Sequence, residues 1–157
     1  MKRIREKMIT FLKQGITPRD LALAVALGIV LGTFPVIGST TLLCIAASVV
    51  LRLNLPAIQS VNWLVAPLQL MLIIPLFKLG SVLFGAGPIT VNLADVIGKM
   101  NADLLGTINE YLLVTLHAIC VWGLVAPFMI ALVFYVMLPL FTRLELKYVR
   151  VREDVAS

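Results

Sequence analysis

Three long stretches of this chain contain no Lys, Arg, Asp or Glu, namely residues 21–51, 53–77 and 111–142. Each is longer than the roughly 18 to 20 apolar residues that a helix needs to cross the hydrocarbon of a bilayer. A helix in the core of a soluble protein does not require such length. The pattern therefore predicts an all-α integral membrane protein.

The first stretch is too long for one straight span. At the helical rise, residues 21–51 would measure roughly 46 Å against a hydrocarbon core of roughly 30 Å. Thr17-Pro18 reads as a cap and a first-turn proline, so a helix is expected to start near Pro18 and to bend in the Pro/Gly-rich run 32–40. Two arrangements fit: a re-entrant hairpin that returns near Arg52, and a tilted, kinked span that places Arg52 outside. The hairpin keeps the basic residue cytoplasmic and is favoured.

The remaining stretches predict transmembrane spans with proline interruptions. Pro56 is expected to begin a helix that runs towards Gly80 and is kinked or broken near Pro67. Residues 85–110 shift to Gly, Asn, Asp and Thr, with apolar residues at helical spacing, which predicts an extracytoplasmic loop carrying an interfacial helix. Residues 111–142 predict the final transmembrane helix.

Composition and charge agree with this fold class. Hydrophobic residues make up 61% of the chain and charged residues 13%, too little polar surface for a soluble domain. Residues 1–15 predict a cytoplasmic amphipathic helix, and 143–157 a basic cytoplasmic tail. Between them, residues 16–84 form a membrane region of Pro/Gly-broken or re-entrant helices. The net charge of +5 lies mostly at the two ends, which places both termini in the cytoplasm and offers no nucleic-acid interface.

Two groups of residues are candidates for function. Gly28 and Gly32 form a Gly-x-x-x-Gly pattern that lets two helices approach closely, and the turn after them leaves backbone groups free. That turn is either a ligand or ion contact or, as favoured, a packing hinge. Its candidate residues are Pro35, Gly38, Ser39 and Thr40.

Three amides form the second group. In a regular helix Gln59, Asn62 and Gln69 lie within roughly 80° of one another, and they flank Pro67. Such a stripe either lines a hydrated path or binds a polar head group, or else its amides hydrogen-bond a neighbouring helix. The proximity of Pro67 favours a cavity. The single histidine, His117, is more typical of packing than of a proton relay, because the spans contain no second His, Asp or Glu.

The segment from about 15 to 85 resembles a bacterial family known as the domain of unknown function 2062 family. The similarity lies in Gly28, Gly32, Pro35 and Gly38, followed by Arg52, Asn54 and Pro56. The family's later Asn-Pro-Leu-Thr element stands here as Ala66-Pro67-Leu68-Gln69. The resemblance implies a multi-pass protein of the bacterial inner (cytoplasmic) membrane and brings no established activity.

No nucleophile with its base, paired carboxylates or metal-ligand cluster is visible, so we expect neither an enzyme nor a cofactor or metal. One hypothesis is a protein that transports or translocates a lipid or small solute through a polar site at broken helices. The alternative is an accessory or structural subunit packed against a larger membrane protein complex. Membrane lipid, and either further copies of the chain or a larger complex, are the expected partners.

Overall fold

A computed structural model describes residues 16–85 and 93–156, and every regular element in these ranges is an α-helix. The five helices are α1 (Pro18–Gly32), α2 (Thr40–Leu51), α3 (Leu55–Leu83), α4 (Leu93–Ala102) and α5 (Leu104–Ala156). Two segments are long and apolar enough to cross a membrane, α3 and residues Leu104–Leu146 of α5. The helix predicted for 1–15 lies outside the described residues.

Local capping explains where α1 begins. The Thr17 side chain accepts a hydrogen bond from the Asp20 backbone N–H (3.1 Å), and Pro18 occupies the first turn, where its missing N–H costs nothing. The Asp20 carboxylate also lies at the positive end of the helix dipole. The predicted start near Pro18 is confirmed. α1 ends at Gly32, and most of its residues are buried against α3 and α5.

Residues 33–39 connect α1 to α2 without helical structure. Gly38 adopts a φ of +87°, a left-handed conformation that glycine takes without strain. The Ser39 hydroxyl donates to the Val36 carbonyl (2.8 Å) and makes no capping bond to α2. The Ser39 side chain thus stabilises the turn to which it belongs. α2 packs against α1 and α3.

α3 is one continuous helix, so of the two forms predicted near Pro67, a kink or a break, the break is wrong. Asn54 caps its start by accepting from the Ala57 N–H (2.9 Å), and the helix runs through Pro67 and Pro75 to Leu83. A proline removes one helical hydrogen bond and crowds the preceding turn. Pro67 is exposed on the outer side of α3, so no neighbouring helix has to accommodate its ring.

α5 begins earlier than the sequence pattern predicts, at Leu104 rather than Tyr111. Asp103 separates it from α4, because its carboxylate accepts from the Gly106 N–H (2.9 Å) and so caps the new helix. A helix expected within 85–110 is present as α4, and residues 104–110 belong to the long helix that follows. An ion pair between Lys99 and Glu110 (2.7 Å) joins α4 to α5.

The apolar core lies where the first half of α1, the first half of α2 and the start of α3 meet the later part of α5. Its buried members are Leu21, Ala22, Ala24, Cys44, Ala57, Ile58 and Phe141. By contrast, only 17% of the apolar window in α3 and 11% of that in α5 is buried. These two helices therefore present long apolar surfaces to the outside, as lipid-facing helices do.

Candidate functional site

α1 lies against α3 at two glycines with almost no space between the helices. A Cβ added to Gly28 would lie 2.7 Å from both the Ile58 carbonyl oxygen and the Val61 Cβ. At Gly32 the nearest atom would be the Asn62 Oδ1, at 3.0 Å. Only hydrogen fits at Gly28, so the Gly-x-x-x-Gly face of α1 brings the turn that follows it directly onto α3.

Gln69 joins α3 to this turn. Its Nε2 donates a hydrogen bond of 2.8 Å to the Phe34 carbonyl oxygen, and the side chain is buried. Gln69 stands 14 residues from both Leu55 and Leu83, which is about 21 Å from each end of α3. The chain that follows α1 therefore meets α3 at its midpoint.

Gln59 joins α3 to the first turn of α2. Its Nε2 donates to the Thr41 hydroxyl at 3.2 Å, while its Oε1 is buried and has no hydrogen-bond partner among the described residues. A buried polar oxygen without a partner is uncommon, because its desolvation is not repaid. The Gln59 amide thus keeps one unused acceptor.

Asn62 lies between the other two amides along α3. It is 4% exposed, and none of the hydrogen bonds found within 16–85 and 93–156 uses its side chain. Seven residues separate it from Gln69, so the two project within about 20° of each other. We call Gln59, Asn62 and Gln69 the amide row. It faces α1, α2 and their connection, and runs from near the start of α3 to its middle.

The other predicted site residues fall in different places. Pro35 and Thr40 are buried, Ser39 is half-buried, and Gly38 is exposed at the tip of the connection, with open space where a side chain would be. Pro67 is exposed on α3, away from the amide row. The structure therefore brings together the amides and the turn, and leaves Pro67 outside their arrangement.

Trp122 on α5 completes the surroundings of the turn, and sequence reasoning did not identify it. Its Nε1–H donates to the Thr33 hydroxyl at 3.3 Å, and its ring meets Phe34 edge-on with centroids 4.9 Å apart. Thr33 in turn donates to the Val30 carbonyl (2.8 Å). A tryptophan in an apolar stretch signals a need for a hydrogen-bond acceptor. Nothing in the sequence names an acceptor on another helix.

His117 belongs to a separate contact, near the far end of α3. Its ring stacks on Phe84 with centroids 4.5 Å apart, and its Nδ1 is buried without a partner among the described residues. Gly80 lets the backbones approach there, since a Cβ would lie 3.0 Å from the Ala118 nitrogen. In the described ranges no three His, Cys, Asp or Glu residues are grouped so that they could hold a metal ion.

Comparison with known proteins gives one positive result. No curated protein and no solved structure matches the chain. One family of bacterial proteins matches residues 1–150, nearly the whole chain and more than the 15–85 over which the resemblance was noted. This protein therefore belongs to the family described as uncharacterised protein conserved in bacteria (DUF2062).

Proposed function

We propose that this is a non-enzymatic, multi-pass protein of the bacterial inner membrane that transports or translocates a lipid or small solute, whose polar group binds at the amide row. In this proposal α3 and α5 cross the bilayer. α1, residues 33–39 and α2 form a re-entrant hairpin, and both termini are cytoplasmic. The observation that carries the proposal is the contact between the Phe34 carbonyl and Gln69 at the midpoint of α3.

The outer surfaces of α3 and α5 support the membrane setting. Leu64 is 76% exposed and Phe128 78% exposed, and most of the apolar residues around them are exposed as well. A soluble protein rarely leaves such a continuous apolar surface in water. α1 has the opposite character, because α2, α3 and α5 surround it and bury most of it.

The positions of the helix ends support the hairpin. Leu21 at the start of α1 and Ala57 at the start of α3 belong to one packed cluster, and Leu53, just after α2, packs against it. A spanning segment would place Leu21 at the opposite end of α3 from Ala57. The chain instead reaches the midpoint of α3 at Phe34 and returns to its start, as a hairpin that enters and leaves on one side does.

Unused hydrogen-bonding capacity supports a polar ligand. The Gln59 oxygen is buried without a partner within the described residues. Asn62, one turn further along α3, is 4% exposed and its amide makes no hydrogen bond there. Amides donate and accept without carrying charge, which suits hydroxyl, amide or zwitterionic groups. In transporters, interrupted helices near the bilayer midplane commonly form such sites.

A second candidate, an accessory or structural subunit of a larger membrane complex, draws on a different observation. Gln59 and Gln69 each already donate a hydrogen bond within the chain, to Thr41 and to the Phe34 carbonyl. Bonds of this kind fasten helices together and need no ligand. Asn62 makes no such bond, so a substitution of Asn62 distinguishes the two candidate functions.

The test compares proteoliposomes containing wild type, Asn62→Ala, and the matched control Asn109→Ala, which alters an exposed asparagine of α5. Movement of a headgroup-labelled lipid and release of a trapped neutral solute are both measured. We expect wild type and the control to exceed protein-free vesicles, and Asn62→Ala to lose on the order of tenfold in rate, the value of about one hydrogen bond.

Circular dichroism of each variant in mild detergent verifies that it is folded. Wild-type rates equal to those of empty vesicles for both cargoes would refute transport. A large partner that co-purifies in fixed stoichiometry, with no flux in its presence or absence, would establish the accessory role instead.

A further inference from the structure

Three arginines from different parts of the fold stand at the same end of the helices. Arg19 lies in the first turn of α1, Arg52 ends α2, and Arg143 is on α5. Each is within two residues of an apolar side chain that belongs to, or packs against, the buried cluster. Those side chains are Leu21, Leu53 and Leu144. One packed end of the protein therefore carries all three positive charges.

None of these arginines forms an ion pair within the described part of the chain, although the Asp20 and Glu145 carboxylates lie one and two residues from Arg19 and Arg143. All three arginine residues are exposed, and no ion pair or hydrogen bond among the described residues engages their guanidinium groups. The nearby Asp20 carboxylate instead accepts a hydrogen bond from the Thr17 hydroxyl (2.8 Å). Unpaired guanidinium groups at one surface favour an anionic partner, above all phosphate, which they bind through two parallel hydrogen bonds.

Arg52 occupies a backbone position that suits other residues better. Its φ is +53°, the left-handed region that glycine or asparagine usually takes at a helix C-terminus. Its N–H donates a hydrogen bond to the Val49 carbonyl (3.4 Å), and the Leu53 N–H donates one to the Ser48 carbonyl (2.9 Å). The backbone alone would favour glycine here, so an arginine indicates a use for the side chain.

Exposed apolar residues beside these charges identify the source of the phosphate. Val50 is 77% exposed and Leu51 47% exposed, directly before Arg52, and Leu146 is 64% exposed close to Arg143. Free phosphate would leave these surfaces uncovered. A phospholipid matches both the charges and the apolar residues, because its phosphate contacts the guanidinium group while its acyl chain covers the adjacent apolar side chains.

We propose that Arg19, Arg52 and Arg143 form an arginine rim that binds the headgroup phosphates of anionic phospholipids on the side of the membrane where the hairpin enters. This inference rests on the membrane arrangement proposed above and concerns a site separate from the amide row. The rim anchors the hairpin by its base, since Arg19 and Arg52 flank the two ends of the hairpin.

The test measures the association of labelled phosphatidylglycerol, relative to phosphatidylcholine, with the full chain in nanodiscs. Arg52→Asn removes the charge while suiting the left-handed backbone, so folding is preserved. We expect it to lower the preference for phosphatidylglycerol about fivefold, because it removes one of the three guanidinium groups that together bind the phosphates. Arg52→Lys keeps the charge but loses the paired hydrogen bonds, and we expect it to recover part of that preference.

The control is Lys78→Asn, which removes one exposed charge at the other end of α3. We expect it to change the preference less than twofold, since Lys78 is a single basic group outside the rim. An equal loss of preference in both variants would show that only net charge matters and would refute the arginine rim. Displacement of labelled phosphatidylglycerol by millimolar inorganic phosphate would refute it as well. A chain that does not insert into nanodiscs refutes the membrane arrangement instead, and one that inserts without lipid preference refutes the rim alone.

Discussion

Replacing Gly28 with alanine tests the closest helix contact in the protein. The added Cβ would lie 2.7 Å from the Ile58 carbonyl oxygen and from the Val61 Cβ. Neither atom can rotate away, because one belongs to the α3 backbone and the Val61 Cβ is bonded directly to that backbone, so no side-chain rotation moves it. The two helices must therefore separate at this point.

The expected cost follows from the geometry. Ordinary van der Waals contact begins near 3.4 Å, so α1 and α3 have to move apart by about 0.7 Å at Gly28. Overpacking of this kind costs about 1–3 kcal/mol, and the rigid neighbours place it at the upper end of that range. Alanine returns about 1 kcal/mol through its better helix propensity. The net destabilisation is about 2 kcal/mol.

The assay is reversible unfolding in mixed micelles, in which sodium dodecyl sulfate is titrated into a mild detergent and helicity is followed by circular dichroism. Gly123→Ala is the matched control, because Gly123 lies within α5 and a Cβ there meets nothing within 4 Å. It receives the same propensity gain without the clash, so we expect it to be more stable than wild type by up to about 1 kcal/mol. Shifts of equal size and sign in both variants would refute the contact between α1 and α3.

Two further substitutions test the surroundings of the turn by the same unfolding assay. Gln69→Leu leaves the Phe34 carbonyl without its donor in an apolar setting, and we expect a loss of about 1–2 kcal/mol; unchanged stability would contradict the contact at the midpoint of α3. Trp122→Phe removes the long hydrogen bond to Thr33 but keeps an aromatic ring beside Phe34, so we expect a loss of about 0.5 kcal/mol and a several-fold larger one for Trp122→Ala. Equal losses in the two Trp122 variants would show that the hydrogen bond, and not the ring contact, holds α5 to the turn.

Helix starts followed from the sequence because their determinants are local. Thr17 and Pro18 cap α1, and Pro56 occupies the first turn of α3, so adjacent residues contain the necessary chemistry. Proline within a helix is different. Pro67 lies inside a continuous α3, and whether a proline breaks a membrane helix depends on surroundings that the sequence alone does not identify.

The sequence predicts that the residues of the amide row share one side of a helix, but it does not predict their hydrogen-bond partners. Helical spacing places Gln59, Asn62 and Gln69 on neighbouring faces, and all three face the α1–α2 side of α3. Their partners are Thr41 and the Phe34 carbonyl, 18 and 35 positions away, and one of them is a backbone atom that any residue type supplies. A pattern in one sequence contains no information on such a pairing.

Asn62 distinguishes the two proposed functions, because burying its side chain costs free energy that no hydrogen bond within the described residues offsets. If the amide row served only to fasten helices, each member would be expected to make an interhelical bond, as Gln59 and Gln69 do. Asn62 is buried like Gln69 and more than Gln59, lies against Gly32, and makes none within the described residues. An apolar residue of similar size would fill this position without the desolvation penalty that a buried amide pays. A ligand that hydrogen-bonds there removes the penalty, so binding should stabilise wild type and leave Asn62→Ala unaffected.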